Sequence, residues 1–333
     1  MHMADALITP IVAGSMYACS GAAMVYSIKK VNLDIDTKKI PLMGVMGAFV
    51  FAAQMINFTI PGTGSSGHLC GGMMLSAVLG PYAAFLTMIG ILLIQCLMFA
   101  DGGILALGCN IWNMSFYGCF IGGIIIWRYI MRNGMSKKKI MTASVLGCIL
   151  TLQLGAFSVS LETLASNITE LPFITFIVAM QPIHLAIGLV EGLVTGAVLI
   201  FIYETRPQIL WMNNENLESK ERVSYKNMII IIAVCAAIVG GLFSLTASSN
   251  PDGLEWSIAQ MTGSTEISSA GSIYEKAENI QESTALLPDY SLKNSDSASG
   301  TSLSGLIGGV IVVIVCALGG YAVKGFKKRV KHE

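Results

Sequence analysis

The second residue of the chain is a histidine, in Met1-His2-Met3-Ala4-Asp5. A histidine there brings three nitrogens within reach of one metal ion: the terminal amine, its own amide nitrogen and its imidazole. Chelation through adjacent main-chain and side-chain nitrogens favours tetragonal ions such as Ni(II) or Cu(II). Taken alone, His2 reads more simply as a residue that happens to follow the start. The other histidines are His68, His184 and His332. His68 follows a flexible Gly/Ser stretch, PGTGSSGH, and neutral imidazole is the commonest metal-ligating side chain. If His2 and His68 converge, they and the main chain offer four nitrogens, enough for a planar four-coordinate site. His332, in the tail KKRVKHE, reads as a solvated residue.

His184 lies in QPIHLAIGLVEG, with Glu191 seven residues on, so two helical turns put both on one face. Ionisable residues inside a membrane span usually face the bundle interior and carry function. The alternative is a structural hydrogen-bonded pair, and the sequence weighs the two evenly. Asp101 in FADGG, and Asn110 and Asn113 in GCNIWNM, sit near the outer ends of apolar runs. They could steady a metal ligand or cap helices, and capping is the favoured reading for Asp101.

The elements that must position these residues are membrane helices. The chain is 54% hydrophobic and 12% charged, with mean hydropathy +0.68, where a soluble domain carries about 25% charged residues. Net charge is zero and says nothing about partners. A span needs about 20 apolar residues, and such runs fall at roughly 7–28, 41–58, 83–100, 108–127, 140–160, 173–203, 227–247 and 303–323. The apolar segment 69–80 is short and Gly-bounded, which predicts a partial or buried helix. No basic residue precedes Lys29, so the first run lacks a signal peptide's positive flank and reads as a retained helix. The eight cysteines form no CxxC pair, and the expectation is small, buried, inert thiols.

Charge supplies the topology. If 69–80 counts as a crossing and the N-terminus lies outside, 18 of the 20 Lys and Arg fall on the cytoplasmic side, leaving only Lys276 and Lys293. That satisfies the positive-inside rule. It places the N-terminus outside, the C-terminus in the cytoplasm, and His2 and His68 together on the outer face. Three parts follow: a membrane domain over 1–205, a polar cytoplasmic linker over 206–226, and a two-span unit over 227–333 with an outer loop over 248–301. The loop carries eight acidic residues and two lysines in a Ser- and Asn-rich background. Such composition predicts weak order and a mild attraction for cations.

The chain contains no GxxxxGK[ST], so no P-loop for ATP hydrolysis, and no HExxH or GxSxG. Gly305, Gly308 and Gly309 give the last run a spacing compatible with close helix packing.

Met1-His2, then PGTGSSGHLCGGMMLSAVLGPYAAFL, LLIQCLMFADGGILALGCNIWNM and HLAIGLVEGLVTG, together resemble the CbiM/NikM family over residues 1–205. These are the substrate-specific membrane components of energy-coupling factor (ECF) transporters for cobalt and nickel. The segment beginning Asn250-Pro251-Asp252-Gly253-Leu254-Glu255 resembles the PDGLE domain, similar to the small two-span CbiN/NikN-type partner. The resemblance implies an all-α integral membrane protein, a bundle of about seven helices followed by a two-span unit. It implies a metal bound by the Met1 amine, the His2 amide and imidazole, and the His68 imidazole. Energy would come from a separate transmembrane coupling subunit and cytoplasmic ATPases, and the bundle would topple in the membrane to deliver its ion. The chain departs from the usual opening at Met3 and Ala6, where the family has Ile and Gly; neither change alters the donor atoms.

The expectation is therefore a multi-pass component of a prokaryotic plasma membrane that takes up Co(II) or Ni(II). No cofactor is permanently bound, no nucleic-acid partner is implied, and the chain is not itself an enzyme. Both metals accept imidazole and amide nitrogen, so the residues do not separate them; the fused PDGLE unit tilts towards nickel by analogy. The runner-up is an ion-coupled permease in which His184 and Glu191 relay protons. An intramembrane enzyme is a third class, with no nucleophile–base pairing in view.

Overall fold

The computed structural model describes residues 1–333 apart from 34–37, 169, 214–222, 293–297 and 331–333. The centre of the expected linker, and His332, lie outside the described residues.

The apolar runs become helices whose ends follow local chemistry. Helix α1 (Pro10–Lys30) opens on proline, whose missing N–H is no loss in a first turn, and closes on two lysines that complement the helix dipole. After α2 (Lys39–Gln54) the chain forms a short antiparallel pair, β1 (Phe58–Ile60) and β2 (Ser65–Gly67), in the register Phe58 opposite Gly67. Then come α3 (Gly72–Leu79), α4 (Pro81–Phe99), α5 (Leu107–Met131), α6 (Lys137–Ala165) and α7 (Phe173–Thr205). The C-terminal part adds α8 (Tyr225–Gly241), α9 (Gly253–Thr262), α10 (Ser272–Thr284) and α11 (Ala298–Val330).

Seven of these helices, α1, α4, α5, α6, α7, α8 and α11, are long and apolar enough to cross a membrane, and α2 is a shorter apolar helix of 16 residues. The chain is an all-α multi-pass membrane protein. All eight residues of α3 are buried, so this helix is held inside the bundle and not against lipid. Its far end is tied down where the Trp211 N–H donates to Ala77 O at 2.8 Å. Helices α8 and α11 pack against α2, on one flank of the bundle. They cross where Gly240 meets Gly305: a Cβ on Gly305 would lie 2.1 Å from Gly240 O, so only glycine allows this approach. All eight cysteines are free, but Cys19 and Cys235 are exposed on the helix surfaces and do not share the burial of the other six.

The expected loop segment departs from the weak order its composition predicts: among its described residues it folds into α9 and α10, and these pack against β2, α4 and α7. A capping box starts α9: the Asp252 side chain accepts from the N–H groups of Leu254 and Glu255, while Glu255 accepts from the Asp252 N–H. Docking does the rest. The Ser66 N–H donates to Pro251 O at 2.8 Å, Tyr274 Oη to Ile8 O at 2.8 Å, and Gln281 Nε2 to Gly102 O at 2.7 Å. A segment too polar to build its own core gains order by lying on another.

Candidate metal centre

The N-terminal residues are threaded into the bundle beneath this segment. Asn110 grips the main chain just beyond His2: its Oδ1 accepts from the Met3 N–H at 2.7 Å and its Nδ2 donates to Met3 O at 3.1 Å. The Gly103 N–H donates to the same carbonyl at 2.9 Å. Further along, Asp5 Oδ1 accepts from the Ala106 N–H at 3.0 Å. The α4–α5 connection thus holds the first five residues in place.

Two expected ligands meet. The Met1 amine lies 2.9 Å from His68 Nε2. Adjacent nitrogens of one ion, each about 2.0–2.1 Å from it and at right angles, stand about 2.9 Å apart. His68 Nδ1 faces Leu69 O at 3.1 Å, which makes Nδ1 the protonated nitrogen and leaves the Nε2 lone pair facing the amine. The His2 and His68 rings stack, with centroids 5.1 Å apart and planes 20° from parallel. His2 is held from both sides: Nδ1 is 3.0 Å from Asp101 Oδ1, and Nε2 is 3.2 Å from Gln95 Oε1. Each His2 nitrogen therefore faces an oxygen acceptor, and must turn from it to ligate an ion. Among the described residues no three His, Cys, Asp or Glu side chains form a ready metal group, so an ion here needs the main-chain nitrogens.

Asp101 does not cap a helix. Helix α4 ends instead at Ala100, in the left-handed region at φ 54°. Besides His2, Asp101 accepts from Tyr290 Oη at 2.5 Å, and Tyr290 stacks on Phe99 at 4.8 Å. Asn113 supports from beneath, with its Nδ2 donating to Glu162 Oε2 at 2.7 Å and lying 3.6 Å from Met3 Sδ.

His184 and Glu191 share a face of α7 but are not bonded to each other. His184 Nδ1 donates to Met180 O at 2.8 Å. Glu191 takes the N–H groups of Cys70 and Gly71, one on each oxygen, at 2.9 and 2.8 Å. It fixes the turn that carries His68 into α3.

The residue that sequence reasoning missed is Asp252. Its Oδ2 lies 2.5 Å from the Met1 amine and 3.8 Å from His68 Nε2, while Oδ1 caps α9. Its only trace in the sequence is as the first of the two acidic residues of PDGLE, read above as a domain marker. Gln95, Glu162 and Tyr290 gave no signal that set them apart.

Electrostatics follow from this packing. Burial works against the charged Met1 amine, but the Asp252 carboxylate outweighs it and raises the amine above its ordinary value of 8.0. Burial and the neighbouring amine push His68 down to about 3, so its imidazole stays neutral. Burial would raise Asp101, yet His2 and the Tyr290 hydroxyl hold it at about 2. Asp252, despite burial, is held well below the usual carboxylate range by the amine. Outside the site opens a cavity of about 500 Å³. Among the residues described, Asp5, Asp101, Asp252, Glu255, Glu266, Glu278 and Asp289 line it together with His2, and no Lys or Arg does. Such a mouth concentrates cations.

Comparison with known proteins agrees with this architecture. The family described as "Cobalt uptake substrate-specific transmembrane region", CbiM, matches residues 2–209, and the PDGLE domain matches residues 226–325. The putative fused nickel transport protein NikMN of Archaeoglobus fulgidus is 35% identical over 315 residues, covering 94% of this chain and 96% of that one. The cobalt transport protein CbiM of Geobacter sulfurreducens is 26% identical over 215 residues, covering 63% of this chain and 61% of that one. A crystal structure of a truncated transition metal transporter superposes with a TM-score of 0.54 at 31% identity, covering 61% of this chain and 99% of the other.

Proposed function

The chain belongs to the CbiM family of cobalt-uptake substrate-specific transmembrane regions, with a PDGLE domain fused behind it, and we propose on that premise that it captures Ni(II) or Co(II) at its outer face as the substrate-binding component of an ECF importer. The Met1 amine, the His2 amide and imidazole, and His68 Nε2 are the donors. The observation that carries this reading is the 2.9 Å approach of the Met1 amine to His68 Nε2, beneath the stacked His2 ring.

The steps follow from the residues. The acidic mouth draws in a hydrated cation. His68, already neutral, offers its lone pair first. The amine must lose its proton and leave Asp252, and His2 must turn from Asp101 or Gln95, before the ion gains its remaining nitrogens. The ion then replaces the ammonium as the positive partner of Asp252. The chain has no P-loop, so the energy for transport belongs to separate coupling and ATPase subunits in the plasma membrane. The charge distribution supports an outer N-terminus and a cytoplasmic C-terminus.

The test is metal accumulation by cells carrying the complete transporter, with one alanine inserted between Met1 and His2, or with His68→Ala. Both variants should lose at least nine-tenths of uptake while remaining in the membrane. Wild-type accumulation by either one rejects this donor set.

A further inference from the structure

Beside the proposed capture site lies a second, small space. Met1, His68, Cys70, His184 and Asp252 are among the residues that line it, and its volume of about 10 Å³ is at the lower limit for a single water. His184 is 1% exposed. Its Nδ1 carries the hydrogen donated to Met180 O, so Nε2 presents a lone pair, and that atom has no hydrogen-bond partner. Buried polar atoms are nearly always satisfied, and each exception asks for a reason. Here the bare nitrogen belongs to a residue on the wall of a cavity shared with two of the donors to the captured ion.

We propose that this cavity is a second, inner station for the transported cation, with His184 Nε2 as its ligand. The inference rests on the capture reading above. Met1 and His68 border both positions, so the ion can exchange ligands one at a time without returning to water. The space is too small for a hydrated ion but admits a bare one, which makes dehydration at the outer donors a condition of passage. Asp252 borders the cavity and supplies negative charge. A neighbouring cavity of the same size shares Met1, Cys70 and Leu152 in its wall and is also lined by Met73, Met114 and Glu191, so a further space adjoins the proposed station.

The substitution His184→Asn keeps an amide donor near the Nδ1 position, within reach of Met180 O, and removes the Nε2 ligand. Leu152→Phe fills the cavity from another wall and leaves His184 intact. Both would be made in the full chain. Ni(II) titration of the purified proteins should give affinities within about threefold of wild type, whereas uptake of radioactive nickel by cells with the complete transporter should fall at least tenfold. Uptake within twofold of wild type in either variant overturns the inner station. Loss of capture along with uptake also overturns it, by assigning His184 to the outer site or to the fold. His68→Ala separates the two readings: if it abolishes titration while His184→Asn transports normally, capture stands and the inner station falls; if it still binds, the capture reading itself fails.

Discussion

Asp252 and the Met1 amine, 251 residues apart in the chain, form a partly buried ion pair with the carboxylate oxygen 2.5 Å from the nitrogen. The same carboxylate starts helix α9. One residue of the C-terminal unit therefore does two things: it organises its own segment and neutralises the proposed ligand of the other.

Asp252→Asn isolates the charge, because asparagine caps a helix about as well as aspartate. Removing the carboxylate strands the buried Met1 amine, so the metal-free protein should melt about 5 °C or more below wild type near neutral pH. The amine's raised pKa gives stability that is complete below 8.0 and lost as pH rises through the folded-state value; the depressed Asp252 gives stability complete above 3.8 and lost as pH falls. The difference between variant and wild type should therefore be largest between about pH 4 and 8 and fade in alkali. A constant difference across pH would mean that the pair is not its source.

Metal binding should release protons. His68 is neutral down to about 3, so the amine and the His2 amide supply them. Affinity should rise about tenfold per pH unit for each proton displaced, from pH 6 up to the amine's raised pKa. Calorimetry in buffers of different ionisation enthalpy counts the protons. Binding independent of pH across this range would exclude the amine as a donor.

Asp101→Ala should weaken Ni(II) binding by about 10–100-fold, the usual effect of removing the group that orients a ligating histidine. Tyr290→Phe, which removes only the hydroxyl donated to Asp101, should cost less. Titration of both purified variants sets the order. A stronger effect at Tyr290 would shift the role from the carboxylate to the PDGLE segment that carries the tyrosine.

Glu191→Gln removes one of the two acceptors that hold the turn after His68. Stranding a buried N–H costs about 1–3 kcal/mol, so the variant should melt lower and bind metal more weakly in parallel. If uptake were lost with stability and binding intact, Glu191 would instead belong to a proton-coupled step.

Much of this was legible in residue types and order. Apolar run lengths marked the seven helices long enough to cross, but the run at 41–58, expected as a span, gives only the 16-residue α2; the Gly-bounded segment at 69–80 reads correctly as a buried short helix. Charge asymmetry grouped His2 with His68, and the structure brings His68 to the Met1 amine. The rest was hidden for physical reasons. The seven-residue offset from His184 to Glu191 places them on one face but does not say what faces them; each bonds to backbone groups. Asp101 looked like a cap because a helix ends beside it, yet Ala100 takes the left-handed turn and leaves the carboxylate for His2. Asp252 was out of reach because its partner lies at the opposite end of the chain, in a contact that composition cannot encode. The order of its segment comes from docking onto the membrane domain, a surface that local propensity does not see.

The covalent join between the two units has a consequence in mass action. Tethered to the chain, Asp252 meets the amine at an effective concentration of roughly millimolar or more, whatever the number of copies in the cell. A chain that stopped after α7 would have to recruit an equivalent segment from solution or from the membrane, and its occupancy would vary with expression. Fusion removes that variable: every copy of the bundle carries a counter-charge for its proposed donor amine, in fixed one-to-one proportion, from the moment it is made.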